Sequence, residues 1–125
     1  MAGDALRPAD GPKIVQGYGD GGFRISGERF AHSVILLPGR VVPWPVLAIG
    51  AVDAASLGAI ADAPEAIDIL LIGAGHGAPR IDPEVREAFR PRGIVIDVMD
   101  TGAACRTYNL LVSDSRLVAA ALIAV

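Results

Sequence analysis

The chain has 125 residues, which suits one domain large enough to bury its own core. Apolar residues make up 52% of the sequence and aromatic residues only 5%, so we expect a core of Val, Ile, Leu and Ala. The net charge of −3 gives no electrostatic footprint for nucleic acid, and the single cysteine excludes an intrachain disulfide framework and suits a reducing, cytoplasmic compartment.

The mean hydropathy is positive, at +0.46, but no apolar run has the length of a membrane span. The longest uncharged stretch covers residues 41–52 and is interrupted by Pro43 and Pro45, whereas a spanning helix needs roughly 20 apolar residues. Residues 1–12 mix Ala, Asp, Gly and Pro, which predicts a flexible tail without the apolar segment of a signal peptide. We therefore expect a soluble chain whose residues 13–125 form a single α/β domain.

The first half of the domain is predicted to form short strands and one β-hairpin. The expected strands and extended segments cover residues 14–18, 23–25, 29–30, 33–37 and 41–52. The first two flank Asp20 and Gly21, an Asp-Gly pair that favours a hairpin turn because both positions tolerate φ > 0.

Strands and helices are predicted to alternate in the second half. The expected strands cover residues 67–72, 94–98 and 117–125. The last run is apolar throughout, and its length and β-branched residues favour a strand over a buried helix. This alternation predicts a partly parallel sheet with helices packed against it.

Capping residues indicate where the first two helices begin. Asp53 is expected to cap the first helix, which Pro64 ends, and Asp82 to cap the second, with Pro83 at its first position. Leu57, Ile60 and Ala61 lie at helical spacing in the first helix, and Val85, Ala88 and Phe89 are predicted to form the inner face of the second.

The third helix is expected to run from Asp100 or Thr101 to about Val112, with Cys105 on its apolar stripe. The dipole near a helix N-terminus lowers a thiol pKa, so Cys105 together with His76 invites interpretation as a thiol nucleophile. A position on the stripe favours a packed core cysteine instead, and burial removes the access that a nucleophile needs. We therefore predict that Cys105 is structural and name no catalytic residue.

Five features occur in order between Ile14 and the C-terminus: the GYGDGGFRI opening, Trp44 after a Pro-Gly turn, the ILLIGAGHGAP loop, the GIVIDVMDT strand, and Tyr108-Asn109 before a turn and a final apolar strand. In their order and spacing they resemble the small family of uncharacterised domains that includes the mitochondrial respiratory complex I assembly factor. The resemblance implies a three-layer α/β fold with a central mixed β-sheet whose last strand is antiparallel. It also implies protein partners, and it carries over no catalytic residue.

The glycine-rich loop and the start of the third helix are predicted to line one cleft. Ligands of open α/β sheets sit beyond the carboxyl ends of parallel strands, and the strands at residues 67–72 and 94–98 deliver their succeeding residues to one edge. The candidate ligand or partner cleft contains Gly73, Gly75, His76, Gly77, Asp100 and Thr101. Glycine amides and a helix N-terminus suit a small anion, and the alternative is that the glycines serve backbone geometry alone.

The loop also satisfies G-x-G-x-x-A after a strand, the pattern of a dinucleotide-binding turn. Such a site needs a helix that begins inside the glycine loop, so that its amides meet the pyrophosphate. Pro79 comes after the loop and the helix is expected only at Pro83, which disfavours a dinucleotide. His32 and His76 are far apart, no Cys/His/carboxylate cluster has metal-ligand spacing, and we predict no metal or other cofactor.

Trp44 lies between two prolines, and two interpretations stay open. A lone Trp in an aliphatic chain favours core packing, whereas on a proline-stiffened segment it is a candidate interface anchor for another protein. The absence of a convincing catalytic set, together with the resemblance, favours a non-enzymatic interaction or assembly factor for a larger complex, including a membrane-bound one. The alternative is an enzyme that binds a small molecule or nucleotide in the cleft of residues 73–77 and 100–101.

Overall fold

The computed structural model describes residues 12–125, so the predicted tail of residues 1–12 lies outside the described residues apart from Pro12. The strands are β1 (Val15–Gly19), β2 (Gly22–Ile25), β3 (Glu28–Phe30), β4 (Val34–Leu37), β5 (Arg40–Pro43), β6 (Ile69–Gly73), β7 (Val95–Met99) and β8 (Val118–Leu122). The α-helices are α1 (Gly58–Ala61), α2 (Pro83–Phe89) and α3 (Thr101–Ser113).

Five of these strands form the central sheet, in the order β5-β4-β8-β6-β7. β6 is parallel to both β7 and β8, whereas β4 is antiparallel to β8 and to β5. The mixed α/β fold expected from the sequence is therefore confirmed. The last strand, β8, joins the two halves of the sheet, because it is antiparallel to β4 on one side and parallel to β6 on the other.

β8 occupies the middle of this sheet, and all five of its residues are buried. Both of its faces are covered, which is why its sequence is continuously apolar instead of alternating. Side chains of successive residues point to opposite faces, as β6 illustrates. Leu70 and Ile72 pack on one face with α1 and α2, and Leu71 packs on the other with α3 and the N-terminal strands. The fold therefore has three layers. α1 and α2 form the first, the central sheet forms the second, and α3 with the N-terminal strands forms the third.

The N-terminal strands form a small antiparallel sheet of their own, in the order β1-β2-β3. Asp20 and Gly21 connect the first two strands with φ of 53° and 78°, which is the left-handed conformation that the Asp-Gly pair predicts. The predicted β-hairpin region is present, and a third strand extends it.

The short helices differ in detail from the prediction. The Asp53 carboxylate accepts a hydrogen bond from the Ser56 amide at 2.7 Å, which stabilises the start of a 3-10 turn over Ala55–Leu57, and no side chain caps α1 itself. Ala88 is exposed, so its predicted place on the inner face of α2 is wrong, and Ala61 at the end of α1 is exposed as well. Helices this short contact the sheet through few side chains, and these two positions point away from it.

α3 begins and ends close to its predicted limits, and Asp100 is its N-cap, because the carboxylate accepts a hydrogen bond from the Ala103 amide at 2.8 Å. Asp82 stands at the N-cap of α2 with Pro83 at the first position, as predicted, but its side chain makes no capping hydrogen bond. Among the described residues, no helix is long and apolar enough to cross a membrane.

Candidate functional site

The carboxyl ends of β6 and β7 lie side by side, with Gly73 opposite Met99. The chain leaves β6 into the glycine-rich loop and leaves β7 into α3, so the loop and the helix N-terminus meet at one edge of the sheet. The Ala74 amide donates to the Met99 carbonyl at 2.8 Å, and the Thr101 amide donates to the Gly75 carbonyl at 3.3 Å. The parallel register alone accounts for this meeting.

Thr101 is fully buried, and its hydroxyl connects three segments of chain. The oxygen accepts a hydrogen bond from the Gly75 amide at 2.8 Å and donates one to the Ile123 carbonyl at 2.8 Å. A single threonine thereby joins the glycine loop and the segment after β8 to the start of α3. This bridging contact was not apparent from the sequence, from which Thr101 was expected only as a cap or a cleft residue.

The first two glycines of the loop are required by geometry. Gly75 has a φ of +71°, which L side chains rarely adopt. Gly73 is tightly enclosed, because a Cβ there would lie 3.0 Å from the Thr101 Cα and 3.1 Å from the Leu122 Cδ2, so its neighbours would have to move by a few tenths of an ångström. Gly77 differs, since its Cβ would meet its nearest neighbour at 3.5 Å, an ordinary contact. The loop thus contains two glycines that the fold needs and one that it tolerates.

Two of the amides expected to hold a small anion are already engaged within the fold. The Gly75 amide donates to Thr101, and the Ala103 amide in the first turn of α3 donates to the Asp100 carboxylate. Asp100 is exposed and carries its own negative charge at the helix N-terminus. An anion bound there would have to displace Asp100, so this part of the edge is better suited to a neutral or basic group.

The outer part of the loop borders an open cavity. His76 and Gly77 are exposed, and with Ala74 they line a space of about 220 Å³ whose other walls include residues 47–49 and 123–125. Leu47 lies on this rim and is 86% exposed. The residues of the predicted cleft therefore differ in accessibility. Gly73, Gly75 and Thr101 are buried in the protein, whereas His76 and Gly77 are exposed to solvent.

Tyr18 is a neighbour of this edge that could not be identified from the sequence. Its hydroxyl accepts a hydrogen bond from the Arg106 guanidinium at 2.9 Å, between residues 88 positions apart. The ring covers Gly102 in the first turn of α3, where an added Cβ would lie 2.7 Å from the hydroxyl oxygen. No local pattern signals such a contact, because the small sheet and the helix meet only in the folded chain.

Cys105 is buried on the inner face of α3, as its position on the apolar stripe predicts. Burial raises the pKa of the thiol to about 12, with the Asp100 carboxylate adding to the rise and Arg106 opposing it. The thiol is therefore protonated throughout the neutral pH range, whereas a nucleophilic cysteine reacts as the thiolate.

Tyr108 and Asn109 of α3 form hydrogen bonds with β1 and the residues just before it. The Tyr108 hydroxyl donates to the Lys13 carbonyl at 2.8 Å. The Asn109 amide group accepts from the Val15 amide at 2.9 Å and donates to the Val15 carbonyl at 2.7 Å. Both side chains are used to hold the N-terminal sheet in place, and burial raises the pKa of Tyr108 to about 12.

Trp44 is buried, with 2% of its surface exposed, and its indole nitrogen donates to the Ser56 carbonyl at 2.7 Å. This position corrects the interpretation of Trp44 as an interface anchor and agrees with core packing. The helix after the glycine loop begins only at Pro83, so no helix N-terminus lies inside the loop as a dinucleotide site requires. Within residues 12–125 there is no group of three or more His, Cys, Asp or Glu placed to hold a metal ion.

The fold and the loop edge define a class of known domains. A Bordetella parapertussis protein of known structure is 34% identical with a TM-score of 0.83, covering 94% of this chain and 100% of that one. A Bordetella pertussis protein described as an Mth938-like domain is 30% identical with a TM-score of 0.77, covering 93% of this chain and 86% of that one. The chain belongs to the family described as protein of unknown function (DUF498/DUF598), whose model matches residues 15–123.

The curated relatives include NADH dehydrogenase (ubiquinone) 1 alpha subcomplex assembly factor 3 of Xenopus tropicalis, which is 33% identical over 110 residues. The match covers 88% of this chain and 60% of the relative. The chain thus spans about three fifths of the length of the first such relatives. The predicted membership of the family that includes the complex I assembly factor is confirmed.

Proposed function

We propose that the protein is a non-enzymatic interaction factor that assists the assembly of a larger, membrane-bound complex by binding a protein partner. The observation that carries this proposal is the similarity to proteins named as assembly factors, which extends over 87–94% of this chain in the vertebrate relatives. The family model matches residues 15–123, which contain every strand and helix of the described fold, so the similarity extends over the domain itself.

The chemistry of the loop edge supports the same proposal. The hydroxyl of Thr101 and the thiol of Cys105 lie in the first part of α3, and both are buried. Thr101 is hydrogen-bonded on both sides to backbone groups, and the pKa of Cys105 is raised to about 12. These side chains therefore stabilise the loop and core and are poorly placed to react with a substrate.

The exposed rim of the loop is the surface that we propose for the partner. Leu47 is 86% exposed beside His76 and Gly77, and a large apolar side chain on a concave rim suits a protein contact. Asp100, exposed on the same edge of the sheet, adds a negative charge. A partner with an apolar group and a basic group would match this rim.

Co-purification from the source cell tests the proposal. A tagged chain expressed at its natural level is expected to retain a reproducible protein partner, and Leu47→Lys is expected to lose it. Leu110→Lys is the matched control, because Leu110 is 62% exposed on α3 and does not line the cavity. Retention of no partner by the unmodified chain would contradict an assembly role, and equal retention by both variants would contradict the rim.

A second candidate function is small-molecule or nucleotide binding, and the cavity of about 220 Å³ beside residues 74–77 favours it. Native mass spectrometry of the protein purified from its source cell tests this candidate. A bound metabolite that Gly77→Val removes would support an enzyme or ligand-binding role over the interaction factor. The unliganded mass alone, together with a retained partner, would favour the interaction factor.

We also propose a cytoplasmic location, since a lone reduced cysteine suits a reducing compartment. Cell fractionation of the tagged chain measures it directly. Recovery in a membrane fraction after washing at high salt, or in an oxidising compartment, would contradict this proposal.

A further inference from the structure

The two edges of the central sheet are built differently. β5 contains Pro43, with Pro45 two residues further on, and proline lacks the amide that a further strand needs. β7 is five residues long and free of proline, and in the part of the chain that the structure describes no strand pairs with its outer side. An unpaired edge of this kind is a template for another strand.

The backbone N–H and C=O groups of alternate residues in β7 point away from the sheet. The Met99 carbonyl accepts a hydrogen bond from Ala74 on the β6 side. Because the polar groups of successive strand residues alternate in direction, those of Ile96 and Val98 face away from the sheet. The Ile96 carbonyl there accepts a hydrogen bond from the Arg86 guanidinium, which occupies the place that the amide of a further strand would take.

Charges of opposite sign lie on the two sides of this edge. Asp97 is exposed on the α3 face, next to Val95, which is 66% exposed. On the other face, Arg86 and Arg90 line a groove of about 270 Å³ between α2 and β7. A strand added here would place successive side chains alternately against these two different surfaces.

We propose that the β7 edge binds an extended segment of a partner protein, with acidic side chains toward Arg86 and basic or apolar side chains toward Asp97 and Val95. The Arg86 guanidinium then leaves the Ile96 carbonyl and pairs with an acidic group of the partner. The proposal rests on the proposed function in taking a protein as the ligand, and it adds a docking surface separate from the loop rim.

A second copy of this chain fits the edge less well. A two-fold antiparallel pairing about the middle of β7 would place Asp97 directly opposite its counterpart, and like charges opposite each other destabilise a strand pair. The charge pattern therefore favours a different protein over self-association.

Amide NMR of the full chain tests the proposal without co-purification, so its failure is distinguishable from failure of the assembly role. The probes are two short capped peptides, one in which Glu and Lys alternate, so that one register places Glu toward α2 and Lys toward α3, and one in which every Glu and Lys is replaced by uncharged Gln. We expect the first to shift the amides of Ile96 and Val98, which point outward, more than that of Asp97, which points to β6. The second peptide is expected to bind at least about tenfold more weakly.

Asp97→Lys is expected to weaken binding of the first peptide by about tenfold. Glu28→Lys changes the charge by the same amount on β3 and is expected to leave the affinity unchanged; both positions are exposed. Equal affinity for the two peptides, or no shift of the Ile96 and Val98 amides at millimolar peptide, would overturn the proposal. Protection of these amides that rises with protein concentration alone would also overturn it, since the occupant would then be a second copy.

Discussion

The hydroxyl oxygen of Thr101 lies 2.8 Å from the amide nitrogen of Gly75, and both residues are buried. The same hydroxyl donates to the Ile123 carbonyl, so the glycine loop, α3 and the segment after β8 share one hydrogen-bonding group. Buried backbone groups are costly when unpaired, and this threonine satisfies two of them. The loop edge is therefore held by the fold whether or not a partner is bound.

Replacement of Thr101 by valine tests that relationship. Thr101→Val keeps the shape but leaves the Gly75 amide and the Ile123 carbonyl without their partner, which we expect to lower the free energy of unfolding by about 2–4 kcal/mol. Thr101→Ser retains the hydroxyl and is expected to lose much less. Urea denaturation compares the two; equal stability of the valine variant and the unmodified protein would contradict the hydrogen bonds.

The loop glycines give a second prediction with its own control. Gly75→Ala places a side chain at a φ of +71°, 3.3 Å from the Ile123 Cγ2, and should cost on the order of 1 kcal/mol or more. Gly77→Ala has no positive φ and meets only an ordinary contact. Its melting temperature should stay close to that of the unmodified protein, and an equal loss in both variants would show that the loop is tighter around Gly77 than these contacts indicate.

A substitution of Asp100 tests the role of its charge at the same edge of the sheet without changing the shape of the side chain. Asp100→Asn keeps an oxygen that accepts the Ala103 amide, and Asn caps helices about as well as Asp, so the helix should lose only about 0.3–1 kcal/mol of charge–dipole stabilisation. If the edge binds a basic group of a partner, partner retention should fall while the melting temperature changes little. Full retention of the partner would remove Asp100 from the proposed surface.

The raised pKa of Cys105 predicts how the free energy of unfolding falls with pH above pH 9. The thiol pKa is raised from 9.0 to about 12 in the folded protein, so its contribution is complete below pH 9 and is lost as the pH rises toward 12. Above pH 9 the unfolded chain releases the proton first, which favours unfolding. Cys105→Ala should therefore show a shallower loss of stability between pH 9 and pH 11 than the unmodified protein, measured by denaturation at fixed pH.

Tyr108 adds to the same alkaline loss of stability, because burial raises its pKa from 10.0 to about 12. The Cys105→Ala curve should thus be shallower without becoming flat. A bulky thiol reagent should react with the native protein slowly and with the denatured protein quickly. Rapid labelling of the native protein would contradict the burial of Cys105.

Much of the fold was predictable because local signals carried it. The Asp20-Gly21 pair fixes the first hairpin, Pro83 marks the start of α2, and the apolar run after Ser115 gives the central strand. These signals depend on the conformational preferences of single residues and on hydrophobic pattern, which the sequence displays directly.

The site depends on contacts between distant residues, which no local pattern reveals. Thr101 and Gly75 are 26 positions apart, and Asn109 and Val15 are 94 apart. The sequence predicts that Thr101 lies near the loop, because the carboxyl ends of parallel strands lie at the same edge of a sheet. It does not predict the direction in which the Thr101 hydroxyl points. The exposure of Ala88 was missed for a related reason, since the face that a short helix buries is set by the sheet beneath it.

The amount of assembled complex in the source cell is the sharpest test of the proposed assembly role. Because the curated relatives are named as NADH dehydrogenase assembly factors, the proposed role predicts that deletion of the gene reduces fully assembled NADH dehydrogenase on native gels and leaves smaller assembly intermediates. The unmodified chain should restore the complex, as should Thr101→Ser. Leu47→Lys should not restore it, although its melting temperature should stay close to that of the unmodified protein because Leu47 is 86% exposed. An undiminished amount of assembled complex after deletion would contradict the account.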